Sequence, residues 1–128
     1  MRFKSDFALP KSHRLRSTSL IQQLFKSQHT LKEFPLLVHY FWSSDQKHHQ
    51  FMPIVSKRKF KRAVDRNRLK RQLKEIWRLN QHLIQCEGKE FLVIGLAYIA
   101  TKKLKYNQIE TAFLSLVNSL NNETKNHS

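Results

Sequence analysis

The chain has 128 residues, with 24 Lys and Arg against nine Asp and Glu, a formal net charge of +15. That length suits one domain, and a hydrophobic share of 40% with nine Phe, two Trp and three Tyr excludes a disordered tail. The single Cys86 excludes an intramolecular disulfide, and +15 exceeds what solubility asks for, so a polyanionic partner is expected.

Residues 1–12 read as a flexible basic arm with no long apolar run of the signal-peptide kind, and no window reaches transmembrane length. The domain itself is expected over 13–121. STSLIQQLFKSQH (17–29) suits a short helix, capped by Ser17 or Ser19, with Leu20, Leu24, Ile21 and Phe25 on its apolar side. FPLLVHYFW (34–42) is rich in strand formers, and Leu36, Val38 and Tyr40 alternate with Leu37, His39 and Phe41. SSDQKHHQ (43–50) reads as a hairpin-like connection to a second strand, FMPIVS (51–56). Pro53 cannot donate to a ladder and places that strand at an edge or bulge.

Residues 57–78 then hold eleven basic and two acidic side chains. At 100° per residue, Leu69, Leu73, Ile76, Leu79 and Leu83 share one side of a helix, with Trp77 at the margin. Asn67, Arg68, Lys70, Arg71, Lys74 and Arg78 take the other side. Arg66 and Arg68 sit in or near the first turn, where the helix dipole disfavours cations, so function rather than stability selects them. FLVIGLA (91–97) lacks alternation and is expected in the middle of a sheet, covered on both faces. TKKLK (101–105) is a second small basic loop. Ile109, Ala112, Phe113, Leu116, Val117 and Leu120 mark a last amphipathic helix, with Asn107 and Glu110 as its capping box and 122–128 as a frayed tail. The order predicts a single-domain α/β fold, a small sheet packed by helices, with a β-α-β unit whose strands run parallel.

Enzymatic chemistry finds little support. Carboxylates are scattered, there is no phosphate-binding glycine motif, and the adjacent His48 and His49 make a poor tetrahedral site. Cys86 with His82 would need an orienting third group and a groove to act as a nucleophile pair, and reads instead as a partly exposed cysteine at a helix C-terminus. Nucleic-acid binding accounts for the charge, because Arg pairs bidentately with phosphate and Lys supplies a mobile point charge. Phe25, Phe34, Tyr40 and Phe41 are candidate platforms for unpaired bases. A structural RNA- or DNA-binding protein of ribosomal or nucleoid type explains the charge equally well.

The order of motifs discriminates. VSKRKFKRAVDRNRLKR (55–71), followed by LKEIWR, resembles the strand, basic loop and R-N-R-x-K-R helix of the protein component of bacterial ribonuclease P. Arg14 and Leu15 before IQQLF, and Leu104 and Tyr106 before the last helix, extend the resemblance from 13 to about 120. Three positions depart from the family: Ile21 stands where a first aromatic is usual, Lys61 where Gly is frequent, and Pro53 where small residues are common. The resemblance implies an α/β sandwich with a left-handed β-α-β crossover, an exception to the usual hand. It implies an RNA subunit that performs the hydrolysis, with Mg2+ held mainly by RNA and no catalytic or metal-binding residue in this chain. Arg62, Arg66, Asn67, Arg68, Lys70, Arg71, Lys74 and Arg78 are then expected on the RNA subunit. Phe25, Phe34, Tyr40, Lys57 and Arg58 are expected on the single-stranded 5′ leader of precursor tRNA. Asn67 either orders the helix start or bonds RNA. A cytoplasmic setting, no membrane and no obligate protein partner complete the expectation.

Overall fold

The computed structural model describes residues 13–27, 29–46, 48–85 and 90–127, with side chains of the last helix described to Asn122. The basic arm at 1–12 and Cys86 lie outside the described residues. Seven elements follow in order: α1 (Thr18–Lys26), β1 (Thr30–Glu33), β2 (Leu36–Ser43), β3 (Gln50–Val55), α2 (Ala63–Asn80), β4 (Phe91–Tyr98) and α3 (Tyr106–His127). A short 3₁₀ turn, Gln81–Leu83, ends α2.

The four strands form one sheet in the order β1-β2-β4-β3. β4 is central, antiparallel to β2 and parallel to β3, as its unbroken apolar run predicts. β2 and β3 are not neighbours, so 44–49 is no hairpin. Just before β3, His49 Nδ1 accepts the N–H of Leu92 at the start of β4, at 2.9 Å. β1 has no counterpart in the sequence reading, because THR-LEU-LYS-GLU is short and polar; it is a strand through pairing with β2. β3 is an edge strand apart from a bridge between Arg14 and Phe51, which is where Pro53 is tolerated.

Strand periodicity divides the apolar residues between two faces. Leu36, Val38, Tyr40, Phe51, Val55, Leu92, Ile94, Leu96 and Tyr98 join α2 and α3 in the main core. Phe41 and Val93 turn the other way and meet only Leu15 and Leu24, with Leu20, Ile21 and Met52 alongside. Ser17 caps α1, accepting the Leu20 N–H at 3.3 Å.

The inward arc of α2 differs from expectation by about one position. Trp77 is fully buried and lies flat on Phe51, ring centres 5.0 Å apart at 11°, whereas Leu79 is 41% exposed. Leu83 is also exposed, because the 3₁₀ turn ends the 100° period. The capping box of α3 is displaced too. The helix starts at Tyr106, Gln108 Oε1 accepts the Lys105 N–H at 3.1 Å, and Glu110 instead accepts from the Asn80 amide. Its backbone runs helical to His127, past the expected end at 121.

Candidate nucleic-acid interface

The start of α2 is built by the loop before it. Ser56 Oγ accepts the N–H groups of Arg58 and Lys59, and Phe60 is buried against Tyr98, which pins the turn to the core. Arg62 caps the helix with its backbone carbonyl alone, accepting from Asp65 and Arg66. Arg66 turns back, its Nη1 donating to the carbonyls of Phe60 and Lys61, both at 2.9 Å. A cation in the first turn thus neutralises loop carbonyls, and part of the guanidinium expected on RNA closes the loop. Asn67 is exposed, and its amide has no hydrogen bond among the described residues. It does not order the helix start; Arg66 does.

Arg62, Arg68 and Arg71 are exposed, while Lys70, Lys74 and Arg78 are half-buried on the flanks. The flank towards β3 forms a groove of about 380 Å³ lined by Arg14, Leu15, Arg16, Pro53, Lys70 and Lys74, among others. Leu15 donates its N–H to Phe51 O at 2.9 Å and buries its side chain, which directs Arg14 and Arg16 to this flank. Burial, then the nearby charges of Arg14, Lys70 and Arg71, hold the Lys74 ammonium below its ordinary pKa. An anion in the groove relieves that repulsion. The sequence reading omitted Arg14 and Arg16 from the site. An R-L-R triplet that meets an edge strand, its Leu inward, is the signal that points to them.

The opposite face of the sheet carries the rings. Gly95 lies beneath α1: a Cβ there meets Leu24 Cδ2 at 3.0 Å and Ile54 Cδ1 at 3.2 Å, so the missing side chain lets the helix settle on the sheet. Leu24 is buried by this contact, and the next residue, Phe25, remains 47% exposed. Its ring meets His39 edge-on with centres 4.9 Å apart. Burial keeps the His39 imidazole below its ordinary pKa and favours the neutral ring.

Tyr40 is 4% exposed and belongs to the main core, on the other side of the sheet from Phe25. It is not placed to meet a leader beside Phe25; strand alternation gives that position to His39. Phe41 faces α1 but is buried beneath it. Phe34 is 63% exposed in the β1–β2 turn, next to a cis Phe34–Pro35 bond. It lies at the far end of the sheet from Phe25, together with the exposed Lys57 and Arg58. That end is joined by the Ile99 N–H to Pro35 O at 2.8 Å and by Lys59 Nζ to Ile99 O at 2.6 Å. Phe25 and Phe34 therefore make two separate ring positions.

Among the described residues, no group of three His, Cys, Asp or Glu side chains is placed to hold a metal ion. No described helix is long and apolar enough to cross a membrane.

Known proteins match most of the chain. The family model Ribonuclease P matches residues 9–121. The ribonuclease P protein component of Porphyromonas gingivalis strain ATCC 33277 is 36% identical over 113 residues, covering 84% of this chain and 82% of that protein. Its counterpart from strain W83 is 38% identical over 111 residues, covering 83% and 81%. In three dimensions, the ribonuclease P protein of Thermotoga maritima aligns with a TM-score of 0.68 at 20% identity, covering 81% of this chain and 94% of that one. The Staphylococcus aureus ribonuclease P protein gives 0.68 at 19% identity, covering 84% and 94%.

Proposed function

Because this chain belongs to the ribonuclease P protein family, we propose that it serves the ribonucleoprotein through two surfaces. The cationic side of α2, with Arg62, Asn67, Arg68, Lys70, Arg71, Lys74 and Arg78, holds the RNA subunit, and Arg14 and Arg16 add to its β3 flank. The α1 side of the sheet holds the unpaired 5′ leader of precursor tRNA. There Phe25 offers a stacking face, His39 supports it, and Phe34, Lys57 and Arg58 continue the path at the end of the sheet.

One observation carries this reading: cations and exposed rings are sorted onto different elements around one sheet. Phosphate contacts are electrostatic and insensitive to sequence, whereas stacking needs a base free of its partner. A folded RNA suits the first surface and a single strand the second. A ribosomal or nucleoid role needs only the first.

The chain's part in cleavage is to position the leader. Hydrolysis falls to the RNA subunit in this reading, as membership of a ribonucleoprotein family implies. Mg2+ prefers oxygen ligands in octahedral geometry. The phosphodiester oxygens of RNA offer such ligands, and the metal chemistry is placed there in this reading.

Reconstitution with a ribonuclease P RNA and precursor tRNA tests the reading. Binding to the RNA subunit should fall steeply with monovalent salt, with a log–log slope near −3.5 to −4.5 for about five phosphate contacts. Replacing Lys70 and Arg71 with Ala should make that slope shallower by about 1.4–1.8. A wild-type slope near zero at fixed magnesium, with fold confirmed by circular dichroism, refutes the electrostatic account.

A further inference from the structure

The basic loop at 101–105 lies outside both surfaces described so far, yet it faces α2. Lys103, Leu104 and Lys105 line a half-open recess of about 190 Å³ with Arg68, Leu69 and Gln72. At 100° per residue Arg68 and Lys70 stand 200° apart on the helix, so this recess and the groove at β3 occupy opposite flanks. We infer that Arg68, Gln72, Lys103 and Lys105 form a second phosphate site, which seats the backbone of the RNA subunit between α2 and the β4–α3 loop. The inference rests on the RNA-binding reading above and adds residues from outside the basic helix.

The loop is held in place before any ligand arrives. Tyr98 Oη accepts the Leu104 N–H at 2.9 Å and donates to Lys102 O at 2.5 Å, which folds 102–104 around one buried phenol. Leu104 packs against the main core. Lys103 Nζ donates to Asp65 Oδ1 at 2.8 Å, tying the loop to the first turn of α2. The side chain of Gln108 takes the Lys105 N–H and fixes the last residue before α3. A backbone so anchored presents its cations with little further ordering cost on binding.

The chemistry of the lining suits a phosphodiester. Arg68 brings a planar fork for two non-bridging oxygens, Lys103 and Lys105 bring ammonium groups, and Gln72 brings an amide donor. The volume accommodates a phosphate with several waters, each of which takes about 30 Å³ in the liquid. The recess opens beside the exposed cations of α2, so one RNA backbone leads from one to the other. The RNA subunit, not the leader, is the occupant, because Phe25 and His39 lie on the opposite face of the sheet.

The full-length protein and the RNA subunit provide the test, at fixed magnesium and varied monovalent salt. Lys105→Ala should weaken RNA-subunit binding several-fold and make the log–log slope shallower by about 0.7–0.9. Lys102→Ala removes an equal charge from the same loop outside the recess and should change both much less. The double variant Lys103→Ala with Lys105→Ala should flatten the slope by about 1.4–1.8, with melting temperature and circular dichroism measured alongside. If Lys105→Ala costs no more than Lys102→Ala, the recess is refuted. An effect confined to precursor-tRNA binding by the assembled particle also overturns it. Lys70→Ala with Arg71→Ala, run in parallel, separates the two readings. Loss there without loss at Lys105 leaves the RNA-binding function standing and removes the second site. No loss in either removes both.

Discussion

The two faces of the sheet differ in thickness of cover, and the difference separates a closed core from an exposed ring. On one side α2 and α3 close completely over Tyr40, Ile94, Leu96 and their neighbours. On the other, a nine-residue helix rests on Gly95 and leaves Phe25 half in water. A ring left exposed beside a well-packed core contributes little to folding and is available for a base. The thick face holds the core and carries the cations of α2 on its outer side; the thin face leaves a ring exposed.

Removing the centre of the thick face should do the most damage. Trp77→Ala deletes a fully buried ring stacked on Phe51 and should cost about 3–5 kcal/mol. Urea titration measures the loss, and the salt slope of RNA binding by the remaining folded fraction should not move. A changed slope breaks the separation between the two sides of α2. On the thin face, Gly95→Val builds a branched side chain where a Cβ alone already lies 3.0 Å from Leu24 Cδ2 and 3.2 Å from Ile54 Cδ1, and should cost about 1–3 kcal/mol by pushing α1 off the sheet. Leader affinity should fall with it, while affinity for the RNA subunit holds. Wild-type stability and leader affinity in this variant contradict the role given to Gly95.

Phe25→Leu keeps much of the volume and loses the π-face. Precursor tRNA should bind more weakly by about 1–3 kcal/mol, about 5- to 150-fold, and mature tRNA hardly at all differently. Equal losses for both substrates show that Phe25 is structural. The smallest effect concerns Tyr106, between the two helices of the thick face. Burial, then Glu75 and Glu110, push its phenol up to about 12, with Arg78 opposing. Its folded pKa lies above the ordinary 10.0, so its contribution to stability is whole below pH 10 and is lost as pH rises towards 12. Tyr106→Phe should show a shallower fall in melting temperature across that window. Identical falls count against the assignment.

Residues that obey one local period were legible from sequence. The apolar run of β4 predicted a central strand, and the charge of 57–78 predicted the cationic side of α2. What failed depended on partners distant in sequence. Tyr40 and His39 are adjacent aromatics on a strand, and only the position of α1 tells which of them lies beside Phe25. β1 is a strand because β2 pairs with it, not because Thr30–Glu33 prefers to be one. The recess beneath Arg68 joins residues 68–72 to 103–105, and no local pattern links them. Trp77 was misplaced for a smaller reason: ideal spacing assigns an arc but not its centre, which Phe51, stacked on the indole, and Phe113, edge-on to it, determine by packing.

The strand order carries a consequence for how the chain is made. β4 sits between β2 and β3 but leaves the ribosome after both, once residues 56–90 have been synthesised. Until then β3 has no partner strand, and the greasy side of α2 has no finished surface to cover. Only the β1–β2 hairpin can form early, and an isolated hairpin is marginal in water. Sheet, basic helix and α1 platform therefore come into being together when β4 inserts, through contacts of long sequence separation that slow folding. A nascent chain stopped before residue 91 possesses neither RNA-binding surface, and its uncovered cations are open to any polyanion nearby. The ribosome's own RNA is the first it meets.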